Sequence, residues 1–345
     1  MTSAARDLNE IIKNADLFRA FDGKRVLITG ATGVIGSALV RSFDLANREL
    51  GTGIAVIAQA RSEKKARDVL GNVLDRITVI YSEDFLFDAG FDHCFHLAGP
   101  TASSYFVEHP VETIDVMLNG TGAMLEKCRA QGGAFVYLSS MEEYGLPYTR
   151  DEVMTEESCG LIDHLTPRSC YPMAKRMCEC MCAAYTREYG VDTRILRLAQ
   201  TFGAGMPLTD RRVSMQFALS AVEGRDIVLH TQGKSVSNFC YLTDAVTGIL
   251  TAALKGQPGQ AYNICNDRET RTIRDIAQLV ADQVAGGAIR VRVEIPENVD
   301  MGYAPDNTMR LSSARLRSLG WLPEVSMAEG YQRLTAYIRE SLHHE

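Results

Sequence analysis

The chain has no Cys-x-x-Cys pair, no internal repeat, no low-complexity linker and no excess of basic charge. It also lacks a run of about 18 apolar residues, so no segment reads as membrane-spanning. The net charge of −7, from 36 Lys+Arg against 43 Asp+Glu, leaves no basic surface to displace counterions, and a nucleic-acid partner is not expected. A local arginine cluster can still hold a small anion. Nine cysteines would suit disulfides or metal, but the densest group, Cys178, Cys180 and Cys182, is spaced by two. Such residues point to opposite sides of a helix, so no metal site is expected there. The odd count and the absence of a secretory signal predict free thiols and a cytoplasmic protein. Residues 1–24 mix both charge signs with apolar residues and read as a short amphipathic helical extension packed on the body.

What remains is ordinary in bulk, with 46% apolar and 23% charged residues over 345 positions, enough for one large α/β unit and a smaller lobe. Short β-rich runs at Arg25–Thr29, Ile54–Ala58, Ile77–Tyr81, His93–Ala98, Phe135–Ser139 and Thr193–Leu198 alternate with longer helical patterns near 34–49, 110–130 and 169–189. Apolar almost throughout, these strands read as buried on both faces, as in a parallel sheet with crossover helices. The predicted fold is a Rossmann-type doubly wound parallel sheet with a smaller C-terminal substrate-binding lobe. The boundaries are 1–24 for the extension, 25–200 for the dinucleotide-binding domain and 201–345 for the lobe, with elements near 238–265 returning to the sheet. Helices are predicted near 212–223, 242–255, 272–284 and 326–343.

The first strand runs into Gly30-Ala-Thr32-Gly33-Val34-Ile35-Gly36 and then a helix. Glycines at this spacing allow a tight turn and let the backbone approach a pyrophosphate resting on the helix amino terminus. Asp84 and Phe85 follow the third strand, where a carboxylate could accept from an adenine amino group. Leu97, Ala98 and Gly99 end the fourth, small enough for a ribose to pass. An NAD enzyme usually carries an acid after the second strand. Here the sequence is Gln59-Ala60-Arg61-Ser62, and Arg61 suits either an adenine stack or a 2′-phosphate. The cofactor is read as NAD, with NADP possible.

Ser140 follows the fifth strand, Tyr171 comes 31 residues later, and Lys175 four residues after that. Positions i and i+4 share a helical face. The lysine ammonium is therefore expected to favour the phenolate of Tyr171, a base for a sugar hydroxyl held by Ser140.

With these come H-L-A-G at 96–99, G-P-T-A-S-S-Y at 99–105, E-H-P-V-E-T-I at 108–114, N-G-T-G at 119–122, L-S-S-M-E-E-Y-G at 138–145 and P-R-S-C-Y-P-M-A-K-R at 167–176. T-F-G at 201–203, F-C-Y-L-T-D at 239–244 and L-G-W at 319–321 follow. From about Lys24 to the last helix the chain resembles the extended short-chain dehydrogenase/reductases, and within them most the UDP-glucuronate decarboxylases. The resemblance implies oxidation at C4 of a nucleotide-sugar, read as a UDP-sugar, a reaction of the oxidised sugar, and return of the hydride by the same cofactor. It further implies a homodimer packed through the helices at 110–130 and 169–189.

Glu142 stands where related dehydratases and decarboxylases carry a glutamate beside the sugar ring. Tyr105, Arg168, Gln200 and Arg212 are the candidate substrate contacts. Three positions depart from the pattern. Met141 replaces an aspartate of the dTDP-glucose 4,6-dehydratases, Ser237 an arginine, and Gln200 an asparagine. The decarboxylase reading leads. A nucleotide-sugar 4-epimerase follows, then a 4,6-dehydratase, then a NADP-dependent ketone reductase, while a non-catalytic NAD sensor would leave the Ser-Tyr-Lys set idle.

Overall fold

Seven apolar segments form one parallel sheet in a computed structural model that describes residues 1–85, 87–295 and 307–343. The strands are β1 (Arg25–Thr29), β2 (Ala55–Ala60), β3 (Thr78–Tyr81), β4 (His93–His96), β5 (Ala134–Ser140), β6 (Thr193–Leu198) and β7 (Gln260–Ile264). Their order is β3-β2-β1-β4-β5-β6-β7, so the winding reverses between β1 and β4, where a doubly wound sheet opens a ligand crevice. Strand β4 ends two residues before the expected limit. The backbone after His96 turns along the sheet's edge, with the amides of Leu97 and Ala98 bonded to the Thr29 hydroxyl. Strand β7 arrives late in the chain, as the predicted return near 238–265 requires.

Alternation in β1 places Val26 and Ile28 on one face and Leu27 on the other. The first face is covered by α2 (Val34–Leu50) and α6 (Leu242–Lys255), the second by α3 (Pro110–Gln131) and α4 (Cys170–Tyr189). In α4, Cys178 and Cys182 are buried and Cys180 is exposed, as their spacing predicts; all nine cysteines are free thiols.

The N-terminal extension is α1 (Ser3–Ile12) followed by a short helix at Ala15–Arg19. Phe18 and Phe21 set their rings edge-on against Phe43 of α2, at 5.6 and 5.4 Å. Asp7 takes the Tyr241 hydroxyl at 2.7 Å and pairs with Arg333 of α7 (Met327–Leu342) at 3.2 Å. The extension is thus fastened to the α2/α6 face, away from α3 and α4.

A second core holds Met206, Met215 and Phe217 around α5 (Val213–Glu223) together with Tyr331 and Leu334 of α7. Two-residue and three-residue strands tie this lobe together, among them Gln200–Phe202 with Phe239–Tyr241 and Val236–Ser237 with Arg271–Thr272. Val153–Met154 pairs with Arg310–Leu311, so part of the span predicted for the dinucleotide-binding domain is built into the lobe. The helix predicted at 272–284 is α-helical only over Ile273–Leu279, and its last turn, Val280–Val284, widens to a π-turn.

Candidate active site

Because every strand of the sheet is parallel, the ends of β1 to β6 gather the candidate residues along one edge. At the switch point, Gly30 has φ of +66°, and a Cβ there would lie 2.9 Å from backbone atoms of Leu97 and Ala98. A Cβ on Gly36 would fall 2.3 Å from the Gly30 carbonyl oxygen. Only glycine fits either place. Gly33 caps α2 without any side-chain hydrogen bond to its first turn, which leaves a positive helix end open to an anion. The cradle that added Cβ atoms would fill, together with this uncapped end, fits a dinucleotide pyrophosphate, with Thr32, Val34 and Ile35 lining the turn.

Buried neutral hydrogen bonds hold the turn. The Thr29 hydroxyl accepts the amides of Leu97 and Ala98 at 3.2 and 3.3 Å and lies 2.8 Å from His96 Nδ1. With both amides donating to it, the hydroxyl proton goes to Nδ1, which places the imidazole hydrogen on Nε2. Burial pushes the His96 pKa down to about 3, so the ring is neutral. Gln59, 1% exposed, accepts the Gly30 amide at 3.1 Å and donates to the Ser82 carbonyl at 2.5 Å. Gln59 therefore belongs to the support of the turn, and the exposed residue after β2 is Arg61.

Asp84 follows β3 and accepts from the Ser82 hydroxyl at 3.0 Å. Phe85 comes next. Its ring is buried against Gly120 and edge-on to His96 at 5.6 Å, which leaves only its backbone, at φ of 60°, for a ligand. Gly99 continues the segment after β4.

Ser140 ends β5 and caps the turn Met141–Tyr144, accepting the Glu142 amide at 3.3 Å. Tyr171 opens α4 with its ring stacked on Phe106, centroids 4.2 Å apart and planes 9° from parallel. One turn on, Lys175 donates to the Leu138 carbonyl at 2.6 Å and sits 5.8 Å from the Tyr171 centroid. The three residues converge as their spacing predicts, but the electrostatics differ from expectation. Burial first, and then the Glu142 carboxylate, push the Tyr171 hydroxyl above its ordinary value, while Ser140 and Arg168 act in the opposite sense. Burial pulls Lys175 down to about 8. The ammonium is committed to a strand carbonyl and lies over the Tyr137 ring at 4.8 Å, so it does not offset these effects.

Arg168 lies in the short turn before α4 and pairs with Glu142 at 2.7 Å. Its guanidinium rests 5.1 Å from the Phe106 ring centroid, so Phe106 touches both Tyr171 and Arg168. Gln200 starts the strand paired with Phe239–Tyr241. Tyr105, on the helix Ser103–Glu108, packs on His109 at 4.8 Å; Glu112 pushes its hydroxyl pKa up and the charge of Arg61 pulls it down. Arg212 is bound to Asp210 at 2.8 Å and donates to the Thr201 carbonyl at 3.1 Å; a substrate phosphate there would have to compete with an existing carboxylate.

Behind Ser140 lies a buried ionic cluster. Arg197 holds Glu179 at 2.7 Å and Glu143 at 3.0 Å, and the Ser139 hydroxyl donates to Glu179. Burial, then Glu179, push the Glu143 pKa up to about 7 against Arg197 and Arg176. Sequence reasoning missed Thr29, His96, Phe106 and this cluster. Polar residues inside apolar strands were the available signal for the first two; nothing local marks Phe106.

This arrangement has counterparts. Residues 26–265 match the model of the NAD dependent epimerase/dehydratase family. A UDP-glucuronic acid decarboxylase 1 of Xenopus tropicalis is 30% identical over 325 residues, covering 94% of this chain and 74% of the relative. Among solved structures, a Thermotoga maritima UDP-glucose 4-epimerase with UDP-glucose superposes with a TM-score of 0.76 at 22% identity, over 92% of this chain and 99% of that one. A dTDP-glucose 4,6-dehydratase of Streptomyces venezuelae, solved with NAD, superposes with a TM-score of 0.74 at 23% identity, over 92% and 98%. The chain is an NAD-dependent enzyme with a Rossmann-type fold, and it belongs to the NAD-dependent epimerase/dehydratase family of nucleotide-sugar enzymes.

Proposed function

We propose that this enzyme oxidises C4 of a UDP-sugar and restores it after the sugar has reacted, with UDP-glucuronate decarboxylation as the reaction. The observation that carries this reading is Glu142, two residues past Ser140 and held at 2.7 Å by Arg168, which shares the Phe106 ring with Tyr171; its carboxylate pushes the Tyr171 hydroxyl up. NAD bound along Gly30–Gly36, Asp84 and Leu97–Gly99 supplies the hydride acceptor. Tyr171 takes the C4 hydroxyl proton and Ser140 orients that hydroxyl. For this the Tyr171 hydroxyl must titrate lower than the protein alone sets it, which the positive charge of an oxidised cofactor would favour. Glu142 is placed to move a proton next to the oxidised carbon, and Arg168 holds its carboxylate in position at 2.7 Å.

The test is mass spectrometry of UDP-glucuronate after incubation with the purified protein and NAD. Loss of carbon dioxide supports the reading, and an unchanged mass removes it. One contact favours a 4-epimerase instead. The Ser237 hydroxyl, 9% exposed, points to the Met141 sulfur at 3.8 Å, so neither position offers a charge to a sugar carboxylate. Met141 also cannot donate the proton a 4,6-dehydration needs. Replacing Glu142 by Gln separates the readings: an epimerase keeps most of its activity, whereas a decarboxylase loses about 100-fold or more.

The α3/α4 face leaves Val111, Met173 and Met177 exposed. We assign it to a homodimer contact, tested by sedimentation; a monomer at micromolar concentration would remove it.

A further inference from the structure

Arg271 opens the two-residue strand that pairs antiparallel with Val236–Ser237, directly across from Ser237. Residues opposed in this way project from the same face with neighbouring Cβ atoms. Ser237 uses that face to reach Met141 at 3.8 Å, and Met141 follows the candidate catalytic Ser140. The Arg271 side chain therefore leaves the ribbon on the side of the site, within a side chain's length of it.

Its guanidinium is unusual here. Arg168, Arg197, Arg315 and Arg333 each hold a carboxylate. Arg271 makes no ion pair among the described residues, and its Nε is buried with no acceptor. Arg310 shares the orphaned Nε, but the bridge between Val236 and Thr308 puts it level with Asn238, on the face opposite Ser237. A buried guanidinium nitrogen without an acceptor is destabilising, and an anionic ligand would remove that penalty. The ribbon itself is firmly set. Asn238 Nδ2 donates to the Thr270 hydroxyl at 2.9 Å and to the Asn266 carbonyl at 3.2 Å, which holds the backbone leading into Arg271 in register.

We propose that Arg271 is an oxyanion-binding residue of the substrate pocket, gripping the diphosphate or the sugar carboxylate of the nucleotide-sugar with its two-pronged guanidinium. The assignment rests on the nucleotide-sugar reading above. It places in this pocket, from the neighbouring strand, the positive charge that Ser237 does not provide.

The experiment is calorimetric titration of the NAD-loaded enzyme with UDP, UDP-glucose and UDP-glucuronate, for the wild type and for Arg271→Gln. Loss of one charge-assisted contact weakens binding roughly 10- to 100-fold. Weakening for all three ligands assigns Arg271 to the diphosphate. Weakening for UDP-glucuronate alone assigns it to the carboxylate. Unchanged affinities for all three overturn the proposal while leaving the nucleotide-sugar reading intact. A wild type that binds none of them overturns both. Arg271→Met, which keeps the apolar stem, gives the same comparison if Gln disturbs the lobe, and unaltered NAD affinity reports an intact fold in either variant.

Discussion

The two halves of the site are built from different materials. The cofactor half is backbone and buried neutral hydrogen bonds: Gly30, Gly33 and Gly36 shape the turn, and Thr29, His96 and Gln59 brace it from beneath. The proposed substrate half is made of charged side chains on short turns and two-residue strands, with Glu142 and Arg168 paired at 2.7 Å, Arg212 on Asp210 and Arg271 without an ion pair among the described residues. A backbone cradle accepts one chemical shape and resists change. Charged side chains on short elements can be exchanged one at a time, so a common cofactor site can serve many sugars.

The largest effect that would break this comparison is at its junction. Tyr171→Phe removes the proton acceptor while leaving both halves in place, and kcat should fall about 10³-fold with NAD affinity unchanged, read by steady-state kinetics and cofactor titration. A variant retaining a tenth of the rate would place the chemistry elsewhere.

Gly36→Ala probes the cofactor half. Its added methyl meets the Gly30 carbonyl at 2.3 Å, so the turn must open. NAD affinity should drop roughly 10-fold or more, with about 1–3 kcal/mol lost in unfolding experiments. Arg168→Ala probes the substrate half, and it should weaken UDP-glucuronate turnover by about 10-fold while NAD binding stays as it was. If Gly36→Ala spared NAD binding, or Arg168→Ala abolished it, the division between the halves would fail.

The smallest effect concerns the cluster behind Ser140. Glu143 titrates at about 7 in the folded chain, above the ordinary carboxylate value. Below the unfolded pKa the protonated group contributes its full stabilisation, and this is lost as pH rises through about 7. The melting temperature of wild type relative to Glu143→Gln should therefore be highest near pH 4.5 and decline towards pH 8. A difference that grows with pH would reverse the assignment.

How far the sequence could be read follows the same division. The glycine turn lies on one strand–turn–helix unit, and Tyr171 and Lys175 lie on one helix, so their spacing along the chain carries their spacing in the fold. The parallel sheet was legible because strands buried on both faces leave continuous apolar runs. Residues 26 and 34 positions apart, Glu142 with Arg168 and Ser237 with Arg271, meet only through tertiary pairing, and no local pattern announces it. The supporting role of Gln59 was hidden because its strand runs two residues further than its apolar pattern suggests, to Ala60. The packing of the Phe85 ring against His96 was not legible, because position alone does not say which way a ring turns. The inverted electrostatics of Tyr171 come from burial and from Glu142, both invisible in a Y-x-x-x-K spacing.

The central claim is that C4 of the sugar is oxidised and then restored within one active site. The measurement that meets it most directly is the fate of deuterium placed at C4 of UDP-glucuronate, incubated with enzyme and less than one equivalent of NAD. The account predicts many turnovers per cofactor, with the deuterium retained in the product nucleotide-sugar. Turnover that stops at one equivalent of cofactor, or product that has exchanged its label with water, would contradict it.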